Sequence, residues 1–144
     1  MGELTALSAP GHARDHLVFH WWEQRTAFVG DLLLGAGDTT WVGGYSGCVA
    51  DYFASLDRVE NLGAGVLLPA HGPPVFDPEA RLGRYRAHRR ERVTQVERAL
   101  ATRPDASADE LLTVVYGESV PEGLLAAARA SLVALTEHVK AERG

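Results

Sequence analysis

Three short segments place a metal-binding side chain beside small residues or proline, each after an apolar run. They are Ala-Pro-Gly-His at residues 9–12, Phe-Val-Gly-Asp at 28–31 and Leu-Leu-Pro-Ala-His-Gly-Pro at 67–73. Imidazole and carboxylate groups suit a borderline divalent ion such as zinc. A strand end holds a ligand on a rigid scaffold, and a glycine beside it lets the backbone approach a metal closely. His12, Asp31 and His71 are therefore candidate metal ligands.

Each segment is a weak signal when taken singly. A histidine in a turn is more often a surface or hydrogen-bonding residue than a ligand, and Gly-Asp is a common turn. Three ligands from three turns form one cluster only if the runs before them share a sheet. In that case we expect His12, Asp31 and His71 to converge at one edge of the sheet.

The segments around these turns predict the elements that must position the ligands. Strands are expected at residues 4–7, 16–22, 26–34 and 66–68. The polar segment 23–25 joins the second and third strands as an antiparallel pair. Segment 35–47 is glycine-rich and predicts a loop, whereas apolar residues at helical spacing in 49–62 predict an amphipathic helix. The second and third strands are apolar on more than one side, so both faces of the sheet are expected to be buried.

The chain changes character near residue 77, where predicted strands give way to predicted helices. Asp77 with Pro78 can begin a helix that runs to about residue 102. Ser107, with Glu110 three residues later, forms a capping-box pattern for a second helix. A third helix is expected over residues 122–141. We therefore divide the chain into residues 1–76 and a helical tail, residues 77–144.

Composition limits the classes of function. The 144 residues carry a formal net charge of −5, with 46% hydrophobic and 23% charged residues, as in ordinary globular proteins. No apolar run reaches the ~18 residues needed to span a bilayer, and no signal-peptide pattern is visible, so we expect a cytoplasmic protein without a membrane partner. Cys48 is the only cysteine, which excludes an internal disulfide and a cysteine-based zinc module.

Charge is distributed unevenly along the chain. Residues 1–76 hold eight acids and three bases, whereas residues 77–144 hold eleven of each, with the bases clustered between 81 and 103. The whole-chain charge argues against general nucleic-acid binding, while the basic segment of the tail is compatible with it.

The order and spacing of the three turns resemble the later part of the metallo-β-lactamase hydrolase domain. The resemblance extends through Gly-Asp-x-x-Leu-Gly at 30–35, Tyr-Phe-x-Ser-Leu at 52–56 and His-Arg-x-Glu-Arg at 88–92, which are similar to the lactamase-β-2-like subgroup. The implied fold class is α/β (α+β). Residues 1–76 resemble the C-terminal half of an αββα sandwich, and residues 77–144 a three-helix, winged-helix-like tail without its wing.

The resemblance also implies a role for each ligand. His12 corresponds to the histidine that completes a three-histidine first metal site, and His71 to a ligand of the second metal. Asp31 corresponds to the aspartate that bridges both ions, and it is the one catalytic residue that the resemblance assigns. Ala70 stands where the subgroup usually has glycine, which affects the local turn geometry. The implied cofactor is two zinc ions in the complete domain, with manganese or iron as alternatives.

One departure from the superfamily pattern is large. Its His-x-His-x-Asp-His motif, the source of four further ligands, does not occur in these 144 residues. Three ligands from separate turns cannot hold two zinc ions or activate a bridging water normally. We therefore expect the chain to be inactive alone, as a gene fragment or a remnant, with the missing N-terminal half of the domain as its partner.

The complete domain is expected to be a hydrolase in which hydroxide on the metal attacks an ester, thioester, lactam or phosphodiester bond of a small-molecule or phosphodiester substrate. His16, His88 and Arg89 are weaker candidates for substrate binding. His16 can equally be a structural hydrogen-bonding residue, and His88 and Arg89 can belong to a solvated helix face. The alternative function is a non-catalytic remnant, or a nucleic-acid-binding or interaction module that uses the basic tail.

Overall fold

A computed structural model describes residues 2–117 and 120–144 of the chain. The strands are β1 (Leu4–Ser8), β2 (Leu17–Trp21), β3 (Thr26–Gly30) and β4 (Val66–Pro69). The helices are α1 (Cys48–Asn61), α2 (Pro78–Thr102), α3 (Ala108–Tyr116) and α4 (Leu125–Arg143), with 3-10 turns at Trp22–Gln24 and Glu122–Leu124. The predicted mixed α/β fold is confirmed. The third predicted helix differs slightly, because its first turn is 3-10 and the α-helix runs on to Arg143.

The four strands form one sheet in the order β1-β2-β3-β4. β1, β2 and β3 are antiparallel neighbours, whereas β4 returns parallel to β3 after the crossover through α1. A parallel return brings the C-terminal ends of β3 and β4 to the same edge of the sheet. Asp31 follows β3 directly and His71 follows β4 by two residues, so the topology alone brings these two ligands together.

The two faces of the sheet differ in burial. Val18, Ala27, Val29 and Leu67 lie on one face, are fully buried, and belong to the same apolar cluster as the inner residues of all four helices. The opposite face carries Leu17, Phe19 and Phe28, which are 38% to 46% exposed. The apolar character of both faces is as expected, but within the described residues only one face is covered.

The helix starts follow the predicted capping patterns. The Asp77 side chain accepts a hydrogen bond from the Ala80 amide at the start of α2. Ser107 and Glu110 form the reciprocal capping box of α3. Each such cap stabilises a helix end by about 1 kcal/mol, because it satisfies amide groups that have no partner within the helix.

The tail helices pack as one group, with α2, α3 and α4 in mutual contact and α1 against α2 and α4. The described part of the tail contains only helices, turns and loops, and its likeness to a winged helix stays a prediction. So does the domain boundary after residue 76. None of the described helices is long and apolar enough to cross a membrane.

Candidate functional site

The three candidate ligands lie together at one edge of the sheet. The His71 Nε2 atom is 3.4 Å from Asp31 Oδ1, and the His12 Nε2 atom is 4.0 Å from Asp31 Oδ2. The carboxylate therefore lies between the two imidazoles and presents a different oxygen to each. The predicted convergence of His12, Asp31 and His71 matches this geometry.

Asp31 is held through its backbone on both sides. Its amide donates a hydrogen bond to His16 Nε2 (3.2 Å), and its carbonyl accepts one from the Thr40 hydroxyl (3.0 Å). Gly30 precedes it at a φ of +55°, and a Cβ there would lie 2.7 Å from His16 Nε2. Glycine is therefore required at position 30 both by the backbone conformation and by the approach of His16.

His16 thus supports Asp31 rather than lining the cavity described below. Because its Nε2 accepts a hydrogen bond from the Asp31 amide, this nitrogen carries no proton of its own. Burial lowers the pKa of His16, and the neighbouring His12 lowers it further, which favours the neutral ring that this bond needs. Of the two roles considered for His16, the geometry fits the structural hydrogen bond.

His12 is oriented by a bond to the opposite side of its ring. Its Nδ1 lies 3.0 Å from the Trp41 carbonyl oxygen, and because a carbonyl only accepts, Nδ1 must donate. The neutral ring then has its lone pair on Nε2, the atom that faces Asp31. Histidines that bind metals are commonly held in this way, with the second ring nitrogen bound to a carbonyl or carboxylate.

The turn that carries His12 is packed tightly against α1. Gly11 has a φ of +139°, and a Cβ on it would lie 2.7 Å from the Tyr52 Cα atom. Ser55, which is fully buried, donates its hydroxyl to the Pro10 carbonyl at 2.6 Å. The backbone at residues 10–12 therefore has little freedom to move.

The turn that carries His71 is held by its backbone only. The Gly35 amide donates to the His71 carbonyl (2.8 Å), and the Ala70 amide donates to the Gly30 carbonyl (2.9 Å). The His71 side chain is 74% exposed, compared with 27% for His12 and 33% for Asp31. Among the described residues, Asp31 is the one ion-pair partner of its imidazole. Alanine at position 70 thus leaves the turn close enough to Asp31 for contact.

The donors do not form a complete metal site by themselves. Within residues 2–117 and 120–144, no three His, Cys, Asp or Glu side chains form a group that could hold a metal ion. The observed arrangement is two pairs that share Asp31. Each pair fits part of a metal site, since imidazole and carboxylate are suitable donors, and each would need further ligands.

The three candidate ligands lie in the wall of a cavity of about 800 Å³. Its turn side is formed by His12, Asp31, Leu34, Thr39, Thr40, Trp41 and His71, and its helix side by His88, Arg89, Arg92, Tyr116, Val120, Pro121, Leu124, Ala127, Ala128 and Ser131. The tail therefore closes one side of the cavity. Among the wall residues that the structure describes, Asp31 is the only carboxylate, whereas α2 contributes two arginines and a histidine.

His88 and Arg89 both line this cavity, as their candidacy for substrate binding requires. Arg89 is only 4% exposed, donates from Nη2 to the Thr40 carbonyl (2.8 Å), and lies 5.4 Å from the centre of the Tyr52 ring. Burial lowers its pKa from the ordinary arginine value. Burial also lowers the pKa of His88, and the positive charge of Arg92 lowers it further. Arg89 is thus buried against the protein and bonded through Nη2, while its buried Nε has no hydrogen-bond partner among the described residues.

Several residues at the site were not identified from the sequence. Thr40 and Trp41 lie in the glycine-rich segment that was predicted only as a loop, and Ser131 lies on α4 some ninety residues away. Thr40 contacts Asp31, and Trp41 contacts His12. A tryptophan and two threonines among glycines were the available signal, but their contacts depend on the tertiary structure.

Comparison with known proteins gives a consistent relationship, although no protein-family model matches the chain. It is 28% identical over 116 residues to the beta-lactamase-like protein 2 homolog of Caenorhabditis elegans, covering 81% of this chain and 38% of that protein. It is 35% identical over 129 residues to an atrochrysone carboxyl ACP thioesterase of Aspergillus chevalieri, covering 83% and 39%. The chain thus spans about two fifths of the length of these curated relatives.

Solved structures give the same result. A metallo-beta-lactamase family protein from Thermus thermophilus matches with a TM-score of 0.81 and 28% identity, over 97% of this chain and 44% of its own. A beta-lactamase domain protein from Burkholderia ambifaria matches in fold with a TM-score of 0.88 at 22% identity, over 96% and 42%. The chain belongs to the metallo-β-lactamase superfamily, in its lactamase-β-2-like subgroup, and has the fold of part of that hydrolase domain.

Proposed function

We propose that this chain provides one part of the active site of a metal-dependent hydrolase, with His12, Asp31 and His71 as metal ligands. The observation that carries the proposal is the position of Asp31, whose two carboxylate oxygens face two different imidazoles at 3.4 and 4.0 Å. A carboxylate placed in this way suits a bridge between two metal positions. The membership of the superfamily supports the same reading.

Zinc is the ion that these donors suit best, and manganese or iron are alternatives. When bound, such an ion polarises the electrophilic group of a substrate and lowers the pKa of a water molecule. The residues of this chain would orient the side chains that bind the ion. Trp41 and His16 fix His12 and Asp31, so that the donor atoms keep their directions before an ion arrives.

The cavity supports a substrate with an apolar portion. Leu124, Ala127 and Ala128 line one side of it, and Trp41 and Tyr116 add aromatic surface. On α2, the positive charge of Arg92 would favour a negative or developing negative charge, whereas His88, whose pKa is lowered by burial and by Arg92, offers a ring nitrogen for a hydrogen bond. Esters and thioesters of apolar acids fit this wall. The Aspergillus chevalieri relative is a thioesterase by name, which supports placing thioesters first. Lactams and phosphodiesters are the other substrates proposed.

The open face of the sheet supports a covering partner. Leu17, Phe19 and Phe28 expose apolar surface over adjacent strands, paired as Phe19 with Phe28. Because the relatives are more than twice as long, we propose that the part of the domain not contained in these 144 residues covers this face and supplies the remaining ligands. The chain alone is then hydrolytically silent and prone to associate through the open face.

Nucleic-acid binding by the tail is the weaker alternative. Arg81 donates to the Leu34 and Gly37 carbonyls, Arg86 pairs with Asp57 and Glu60, and Arg92 donates to the Val115 carbonyl. These basic side chains of α2 are directed at the protein. A groove-reading helix instead presents its arginines outward.

The test joins this chain to the complementary segment of the Thermus thermophilus relative. Hydrolysis of a p-nitrophenyl ester, an acyl thioester and bis-p-nitrophenyl phosphate is measured with zinc, for the chimera and for the chain alone. We expect turnover by the chimera only, and its loss in Asp31→Asn. Asp105→Asn, at an exposed aspartate in the loop between α2 and α3, is the matched control. Equal activity in the Asp31→Asn chimera would refute the proposal.

A further inference from the structure

Residues 39–42, which we call the linking segment, contact both ligands and two tail helices. On the ligand side, the Thr40 hydroxyl donates to the Asp31 carbonyl at 3.0 Å. The next residue, Trp41, accepts from His12 Nδ1 through its carbonyl at 3.0 Å. Two consecutive residues therefore hold the two ligands that come from different strands.

On the helix side, the same segment is bound to α2. Arg89 Nη2 donates to the Thr40 carbonyl at 2.8 Å in a buried setting. The Tyr85 hydroxyl lies 3.5 Å from the Thr39 carbonyl and accepts from the Leu34 amide at 3.0 Å. Both helix residues are almost fully buried, so this contact is rigid.

The segment is also bound to α4. The buried Ser131 hydroxyl donates to the Val42 carbonyl at 2.9 Å, and Trp41 Nε1 donates to the Ala127 carbonyl at 3.3 Å. Gly43, the next residue, lies very close to α4. A Cβ on Gly43 would lie 2.8 Å from the Ser131 amide nitrogen. The helix thus lies directly against the backbone of the loop.

We propose that α2 and α4 position His12 and Asp31 through the linking segment, which makes Thr40, Arg89 and Ser131 positioning residues for the site. The proposal rests on the proposed function only in taking His12 and Asp31 as ligands. The polar side chains of Thr40, Arg89 and Ser131 make no hydrogen bond to the His12 imidazole or to the Asp31 carboxylate. Each acts by fixing a backbone carbonyl, and a small shift of the segment changes both ligands together.

This arrangement gives the tail a role in the site besides closing the cavity. If α4 moves relative to α2, the linking segment is displaced at its contacts with α4 and not at its contacts with α2. His12 would then lose its orienting carbonyl, while Asp31 would lose its bond to Thr40. His71 makes no hydrogen bond to the segment among the described residues and is linked to it only through Asp31, so its change should be smaller, which gives an internal reference.

The first arm of the test uses the metal-free 144-residue chain with EDTA at constant pH, labelled with ¹⁵N. We expect Thr40→Val to speed the hydrogen exchange of the Asp31 amide, and Ser131→Ala to broaden the His12 Nδ1 proton resonance. The His71 resonances should change less than those of His12 and Asp31 in either variant, because His71 is reached only through Asp31. Thr26→Val is the matched control, since the Thr26 hydroxyl bonds the Gln24 carbonyl at the other end of β3.

The second arm measures affinity for Zn²⁺ alone by competition with a chromophoric chelator. Loss of an outer contact typically weakens metal binding about ten- to a hundredfold, and we expect this range for Thr40→Val and its lower end for Ser131→Ala. Thr40→Ser retains the hydroxyl and should restore the wild-type affinity, which a merely structural role for the residue would not require.

The two arms separate this proposal from the proposed function. If the wild-type chain fails to bind Zn²⁺, its three ligands are too few to retain an ion by themselves, and the resonance changes at His12 and Asp31 alone decide whether the helices position them. If Thr40→Val and Ser131→Ala leave those resonances unchanged, or leave the affinity of a zinc-binding wild type unchanged, the positioning role is overturned. Changes of the same size at His71 would overturn it as well.

Discussion

The turns that carry His12 and His71 differ in how completely this chain holds each ligand. At His12 the backbone is fixed by Gly11 and Ser55, and the ring is fixed by the Trp41 carbonyl. At His71 the backbone is bonded to Gly35, but the ring is 74% exposed. The chain fixes both the backbone and the ring of His12, but only the backbone of His71.

The difference indicates which of the two imidazoles this chain can orient alone and which one needs a further partner to orient it. A ligand whose ring is already oriented loses little side-chain entropy when it binds an ion, whereas an exposed imidazole must be ordered at that moment. We therefore expect the His12 side of the site to be formed before binding. The His71 side should become ordered on binding an ion or when the rest of the domain covers it.

Asp31 joins the two turns, so its replacement should have the largest effect. Asp31→Asn keeps the size of the side chain but removes the charge that both imidazoles face. We expect zinc affinity to fall by more than the roughly hundredfold that outer-contact losses produce, because a ligand itself is lost. Isothermal titration of the chain with Zn²⁺ measures this, with Asp105→Asn as control. A loss no larger than that caused by Thr40→Val would contradict the bridging position.

Replacing one glycine in each turn compares how tightly the two backbones are packed. Gly11→Ala meets both a φ of +139° and the α1 backbone at 2.7 Å, whereas Gly72→Ala meets a φ of +85° and atoms at 3.0 Å. Strain and overpacking each cost about 1–3 kcal/mol, so we expect about 2–6 kcal/mol for Gly11→Ala, which meets both, and about 1–3 kcal/mol for Gly72→Ala, which meets mainly the strain. Urea unfolding of both variants gives the free energies, and the reverse order would be a contradiction.

Most structural features that depend on local chemistry and on residue periodicity could be predicted from the sequence. The Ser107 capping box and the start of α2 at Pro78 follow from residue types at short spacing, whereas β3 was expected to run to residue 34 and ends at Gly30. The linking segment could not be predicted, for a physical reason. Its contacts to His12, Arg89 and Ser131 use backbone carbonyls, which every residue has, so no side-chain pattern marks them. The orientation of α4 against Gly43 likewise depends on tertiary packing.

Ser55 tests whether the His12 turn depends on α1. Its buried hydroxyl bonds the Pro10 carbonyl, and Ser55→Ala would leave that acceptor without its partner. A buried polar group left unpaired costs about 1–3 kcal/mol, so we expect a loss of that size in the free energy of unfolding. The exposed Ser46 provides the matched Ser→Ala control, with no measurable change expected. If both variants unfold alike, the turn is held by other contacts.

The smallest expected effect is also the most direct comparison of the two imidazoles. In the metal-free chain, His71→Ala removes an exposed ring and should change the free energy of unfolding by less than about 0.5 kcal/mol, as for most surface substitutions. His12→Ala removes the bond to the Trp41 carbonyl and should cost about 0.5–1.5 kcal/mol, the usual net worth of a hydrogen bond. Urea unfolding with EDTA resolves this difference when both variants are measured in parallel. Because no ion is present, a larger loss for His12→Ala comes from the burial of its ring and from the bond that orients it. Equal losses would mean that the Trp41 carbonyl does not hold His12 in solution, and that both ligands become ordered only when an ion binds.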